Sequence, residues 1–172
     1  CDQLVHDVTR DLGGIDILIN NAGRSIRRSI NLSYDRFHDF ERTMQLNYFG
    51  ALRLILGFLP GMSDRKSGHV INISSIGVLG SSPRFSAYVA SKSALDAFSA
   101  CAASEYSDRN VQFTTVNMPL VRTPMIAPTK IYDYAPTLSV DEAVDLVVDA
   151  VVHQPRRVAT TMGRFLAFAN AI

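Results

Sequence analysis

Tyr88 and Lys92 stand four residues apart in the stretch Phe85-Ser-Ala-Tyr-Val-Ala-Ser-Lys92, and Ser75 closes the apolar run Val70-Ile-Asn-Ile-Ser-Ser75 upstream. On a helix that spacing is about one turn, so a phenol and an ammonium share a face. A nearby positive charge stabilises phenolate and draws the tyrosine pKa down from its ordinary value near 10. Such a phenol is a usable general acid or base at neutral pH. A serine hydroxyl presented from a strand end can hold a substrate oxygen beside it. The three side chains suit proton transfer at a carbonyl or alcohol oxygen, the task of an oxidoreductase.

The elements that must position them alternate between strand and helix. Gln3 to Leu12 reads as the end of a helix, closed by Gly13-Gly14. Ile15 to Asn20 is a short apolar strand. A long amphipathic helix lies within Leu32 to Leu59, with Ser33 as N-cap and Asp35 in its first turn, and Pro60-Gly61 stops it. His69 to Ser74 is a buried strand, Ser86 to about Tyr106 an Ala- and Ser-rich helix, and Val111 to Asn117 a third strand. Ser139-Val-Asp-Glu142 is a capping box that opens a helix to about His153. Arg157 to Thr161 reads as a last strand. This alternation predicts a parallel sheet with helices on both faces, a sheet type that binds ligands beyond the carboxyl ends of its strands. Gly23, Ser75 and Thr123 all fall at or after such ends.

Further motifs accompany the Tyr/Lys pair in a fixed order. Asp16-Ile-Leu-Ile-Asn-Asn-Ala-Gly23 is a strand running into a sharp turn, and Asn47 follows within a helix. Phe37, Phe40, Met44, Asn47 and Ala51 recur at helical spacing, which puts Asn47 on an apolar stripe where its amide needs partners. Together with Ser75, Tyr88 and Lys92 these motifs resemble the short-chain dehydrogenase/reductase family over nearly the whole chain, from about Asp2 to Thr161. Two segments, Met118-Pro-Leu-Val-Arg-Thr-Pro-Met-Ile-Ala-Pro-Thr129 and Gly23-Arg-Ser-Ile-Arg-Arg28, are similar to the bacterial fatty acyl-CoA reductase-type members.

The resemblance implies an α/β fold, the C-terminal part of a doubly wound parallel-sheet Rossmann fold, in one partial domain over 1–172. It assigns Tyr88 as proton donor in reduction and acceptor in oxidation. Lys92 would lower the Tyr88 pKa and bind the nicotinamide ribose, and Ser75, favoured over Ser74 by its spacing to Tyr88, would orient the reacting oxygen. Asn47 would link through water to Lys92; the plain alternative is a core amide bonded to nearby backbone. Asn20, Asn21, Ala22 and Gly23 would meet the adenosine half of an NAD or NADP cofactor, and Gly23 allows a positive φ or a close backbone approach. Val121 and Thr123 would meet the nicotinamide carboxamide, although Met118-Pro119 stands where the family has Pro-Gly. The rivals are a nucleotide-sugar epimerase or dehydratase using the same Tyr/Lys pair, and a non-catalytic interaction domain.

One part of that fold has no counterpart in the chain. A glycine-rich turn between a first strand and a helix N-terminus should receive the cofactor pyrophosphate. Neither Gly13-Gly14 nor Gly77/Gly80 has that setting. With Cys1 as first residue and Met44 as first methionine, the expectation is a fragment lacking the first three strands. Alone it should bind NAD(P) poorly, and the apolar edge strand Ile15 to Asn20 should make it poorly soluble.

Composition narrows the partners. With 47% hydrophobic and 19% charged residues in 172, the chain reads as a globular domain. A net charge of +1 makes no electrostatic case for nucleic acid. The four histidines are scattered without metal-ligand spacing, so no metal site is read. Cys1 and Cys101 read most simply as free thiols in a reducing compartment, hence cytoplasmic, with one disulfide between them as the alternative. Arg24, Arg27 and Arg28 form a solvated basic loop or, more sharply, a contact for a phosphate-bearing substrate such as an acyl-CoA. The apolar loop from Met125 to Leu138 points to a hydrophobic small-molecule substrate, a fatty acyl chain or long aldehyde. The apolar tail 165–172 would pack against the domain or touch a membrane surface. The Ala/Ser-rich helix face would let a second subunit approach or pack closely within one subunit, and the resemblance implies a homo-oligomer for the complete protein, formed through this helix and the one before it.

Overall fold

The computed structural model describes residues 1–127 and 129–170. Four parallel strands form one sheet in the order β1 (Ile17–Asn20), β2 (Gly68–Ser75), β3 (Val111–Met118) and β4 (Arg157–Ala159). Each of the first two crossovers is helical. Helices α2 (Phe37–Met44) and α3 (Ala51–Arg65), joined by a π-helical segment (Gln45–Gly50), connect β1 to β2. The short α4 (Ile76–Gly80) and the long α5 (Ser86–Glu105) connect β2 to β3. Helix α1 (Asp2–Leu12) precedes the sheet, α6 (Val140–His153) lies between β3 and β4, and α7 (Thr161–Asn170) closes the described chain.

The central strands are apolar on both faces, as buried parallel strands must be. On one face Leu18, Val70, Val111 and Phe113 pack with Ile55, Phe58, Leu59 and Met62 of α3 and Leu95 of α5. On the other, Ile71, Ile73 and Val116 pack with Ala150 of α6. β1 is an edge of the described sheet, and Ile17 and Ile19 are each 43% exposed. The expected exposed apolar edge is therefore present.

Several expected boundaries differ. Helix α2 begins at Phe37; Ser33 is no N-cap, because its hydroxyl donates to the Ser29 carbonyl at 2.9 Å. Pro60-Gly61 does not stop the helix, which runs on to Arg65 and ends with Lys66 in the left-handed region at φ 52°. Pro60 lacks the N–H that would bond the carbonyl of Leu56, but both residues are exposed and water can serve that carbonyl. The buried stripe also starts elsewhere. Phe37 is 71% exposed, while Asp39, Thr43, Asn47, Ala51 and Ile55 turn inward at four-residue spacing. The last strand stops at Ala159, and the tail expected to pack against the domain or touch a membrane surface is helical as far as Asn170. α7 lies against α4, bringing Gly163 close to Leu79 and Ile76, while Phe165 and Phe168 stay exposed. Pro128 of the loop motif and residues 171 and 172 of the tail lie outside the described residues.

Candidate active site

Every expected site residue springs from the carboxyl side of the sheet or from a helix that crosses it. β1 ends at Asn20, β2 at Ser75 and β3 at Met118, with Val121 and Thr123 just beyond. The register pairs Ser75 with Met118, so β2 and β3 end side by side, while Asn20 pairs with Asn72, three residues before the end of β2.

Ser75 is both the last residue of β2 and the N-cap of α4. Its Oγ accepts the Gly77 N–H at 3.1 Å. That bond uses an acceptor lone pair and leaves the hydroxyl proton free to donate toward a substrate oxygen. Ser74 is buried, and its Oγ has no partner among the described residues. Ser75 lies near enough to Tyr88 to pull the phenol pKa down. Burial outweighs this pull and holds the Tyr88 pKa above the ordinary tyrosine range, with a smaller upward push from Tyr132. Held so by burial, Tyr88 is protonated throughout the neutral range.

Lys92 is buried, 4% exposed, and donates to the Ile73 carbonyl at 2.6 Å. Burial lowers its pKa to about 8. An ammonium has three protons to donate. Among the described residues, Ile73 is the acceptor recorded for this one. The group lies against Gly23, where an added Cβ would come within 3.4 Å of Nζ and 3.3 Å of the Asn47 Oδ1. Gly23 does not use a positive φ; it serves by close approach.

Asn47 occupies the π-helical segment, a distortion often found at functional sites. Its amide is fully engaged: Oδ1 accepts the Arg24 N–H at 2.9 Å, and Nδ2 donates to the Arg24 carbonyl at 2.9 Å and to Ser91 Oγ at 2.9 Å. Asn47 thus clamps the loop after Gly23 to α5. Asn20 points inward. Its Nδ2 donates to Asn72 Oδ1 at 2.8 Å, and Asn72 in turn donates to Ser99 Oγ at 2.7 Å. It ties β1 to β2 and α5, while Asn21 and Ala22 are exposed at the turn. Val121 bridges to Leu138, and Thr123 Oγ1 donates to the Val121 carbonyl at 3.3 Å.

The basic loop divides by role. Arg28 and Arg36 hold the buried Asp39 at 3.2 and 3.0 Å, and the Arg36 guanidinium keeps that carboxyl below the usual carboxylate range. Arg27 is exposed. The sequence reading missed the aromatic column over the site: the Phe85 ring lies edge-on to Tyr88 at 6.4 Å and stacks on Tyr132 at 6.5 Å. It also missed the polar groups behind Ser75 described below. The described residues hold no cluster of metal-ligating side chains, and none of their helices is long and apolar enough to cross a membrane. Cys1 and Cys101 are free and exposed.

A parallel sheet, helices on both faces and polar groups gathered at the strand ends define a Rossmann-type α/β protein. The short chain dehydrogenase family model matches residues 1–131, and the chain belongs to that family. It is 61% identical to a fatty acyl-CoA reductase of Acinetobacter baylyi, covering 99% of this chain and 58% of that protein. It is 54% identical to a fatty acyl-CoA reductase of Mycobacterium tuberculosis, covering 92% and 54% respectively. A short chain dehydrogenase of Burkholderia cenocepacia, solved with NADP, superimposes with a TM-score of 0.84 at 27% identity, over 99% of this chain and 69% of that one. The chain spans little more than half the length of these curated relatives.

Proposed function

We propose that this chain is the catalytic portion of an NAD(P)-dependent oxidoreductase that interconverts a carbonyl and an alcohol. The observation that carries the reading is the buried Lys92 ammonium, bonded to the Ile73 carbonyl and lying against Gly23, on the same helix face as Tyr88 and close to the strand end that presents Ser75. The donor set fits a nicotinamide dinucleotide: Lys92 has protons left for ribose hydroxyls, and Gly23 leaves the space a side chain would fill. Asn21, Ala22, Val121 and Thr123 line the route such a cofactor would take. When bound, it supplies or accepts the hydride. Ser75 donates to the substrate oxygen and favours the charge that develops there. Tyr88, kept protonated by burial, delivers its proton during reduction and is left as phenolate; in oxidation it is that phenolate, with the Lys92 ammonium on the same helix face, that takes the proton from the alcohol.

The substrate class we propose is a fatty acyl thioester or long-chain aldehyde. The names of the two reductases, the exposed Arg27 and the apolar loop after β3 support it. We read the protein as cytoplasmic and self-associating through α3 and α5, where Leu56 and Cys101 are exposed, together with Phe49 of the π-helical segment before α3. The test uses the full-length protein that carries this sequence. Incubated with a long-chain acyl-CoA, it should consume NADPH or NADH, and Tyr88→Phe should lose at least about a hundredfold in kcat. Full turnover by Tyr88→Phe refutes the reading.

A further inference from the structure

Tyr88, Lys92 and Asp96 follow one another at four-residue spacing on α5 and so form one stripe facing the sheet. Tyr88 reaches Ser75, and Lys92 reaches the Ile73 carbonyl. Asp96 pairs with Arg157 of β4 through a single nitrogen, Nη2 lying 2.9 and 3.1 Å from its two carboxylate oxygens. Arg157 also donates from Nη1 to Asn117 Oδ1 at 2.6 Å. Asn117 is 1% exposed, and its Nδ2 donates to the Ser75 carbonyl at 3.3 Å. The chain of contacts leaves α5, passes through β4 and β3, and ends on the main chain of the serine that Tyr88 meets.

We infer that Asp96, Arg157 and Asn117 are positioning residues that set Ser75 against Tyr88. Arg157 fixes the orientation of the Asn117 amide, because a guanidinium has only protons to offer and so demands the amide oxygen. The amide nitrogen is then aimed at the Ser75 carbonyl, at the point where β2 gives way to α4. The Asp96 end ties the same contacts to the helix that carries Tyr88. A partly exposed ion pair alone contributes little to stability. What it contributes is direction: with Nη2 held by Asp96, the planar guanidinium aims Nη1 at the Asn117 oxygen. None of the three touches the reacting atoms.

This rests on the reading of Ser75 and Tyr88 as the reacting pair, and the experiment separates the two. In the full-length protein, Asn117→Asp keeps the shape and the Arg157 contact but places a carboxylate oxygen where the donor to Ser75 was. We expect kcat to fall by about ten- to a hundredfold with KM for both substrates unchanged. The swap Asp96→Arg with Arg157→Asp restores an ion pair but offers Asn117 Oδ1 no proton. It should recover the thermal midpoint lost in Arg157→Asp and leave kcat low. A readout free of turnover is amide exchange at Gly77, whose N–H Ser75 caps; it should quicken in Asn117→Asp while distant helices stay protected. Wild-type kcat in Asn117→Asp, recovery of kcat by the swap, or unchanged Gly77 exchange overturns the inference. If Tyr88→Phe remains active, the earlier reading fails instead, and the Gly77 measurement still decides this one.

Discussion

Asn47 grips Arg24 by both ends of its peptide groups, accepting from the N–H and donating to the carbonyl, each at 2.9 Å. The pairing copies a rung of a β-ladder with a side-chain amide in place of a strand. It holds the loop after Gly23 over α5, where Ser91 accepts a further proton from the same amide.

Asn47→Asp should therefore unfold more easily, although the two side chains are nearly isosteric. The variant places an oxygen against the Arg24 carbonyl and removes the donor to Ser91. A buried group left so unsatisfied costs about 1–3 kcal/mol. Urea denaturation of the two proteins measures the difference, and equal midpoints would refute the clamp.

Gly23→Ala should disturb function more than folding. The added Cβ meets Asn47 Oδ1 at 3.3 Å and Lys92 Nζ at 3.4 Å, closer than most real contacts. The backbone φ is ordinary, so the strain falls on those two side chains. Affinity for NADPH in the full-length protein is expected to drop by about tenfold, roughly 1.4 kcal/mol. Calorimetric titration measures it.

Lys92→Met should raise stability while abolishing turnover. Burial lowers the lysine pKa to about 8, against 10.5 when solvated. Below pH 8 both folded and unfolded states carry the proton, and the folded state bears the full penalty, about 3 kcal/mol. Between pH 8 and 10.5 the unfolded chain binds more protons, so wild-type stability should gain there as pH rises. Denaturation against pH should show this gain in the wild type and its loss in Lys92→Met.

His69 should limit stability on the acid side. It is buried, and its Nε2 lies 2.9 Å from Thr114 Oγ1. Thr114 donates its own proton to the Pro155 carbonyl, so it must accept from Nε2–H. The neutral tautomer is thereby set, and Nδ1 has no partner among the described residues. Burial lowers the His69 pKa below the ordinary value of 6.5. The unfolded chain then binds more protons as pH falls below about 6.5, and the fold loses stability there. His69→Phe should flatten that acid limb in a urea series from pH 7 to pH 5.

Legibility from sequence followed locality. The Ser139 capping box forms with both its bonds, Ser139 Oγ accepting the Glu142 N–H at 3.1 Å and Glu142 accepting the Ser139 N–H at 2.7 Å. The Tyr88/Lys92 pair lies on one helix, and its spacing alone put the two on one face. What escaped depends on distant partners. No local signal distinguishes Asp39-Thr43-Asn47 as the inward stripe, because polar side chains turn inward only where Arg28, Arg36 and Arg24 wait for them. Pro60 misled because the rule for proline assumes a carbonyl with no access to water. Asn117 and Arg157 were invisible because three elements, far apart in the chain, supply their contacts.

The hydroxyl at position 75 answers to two masters. It closes the first turn of α4 and faces the phenol, so any substitution there is judged twice, by the backbone and by the chemistry. An alanine would lose both duties together, and a drop in rate would not reveal which had mattered. Aspartate keeps the cap while it withdraws the proton and adds a negative charge. The contrast between those two replacements divides what Ser75 does for the shape of the strand end from what it does for a bound oxygen.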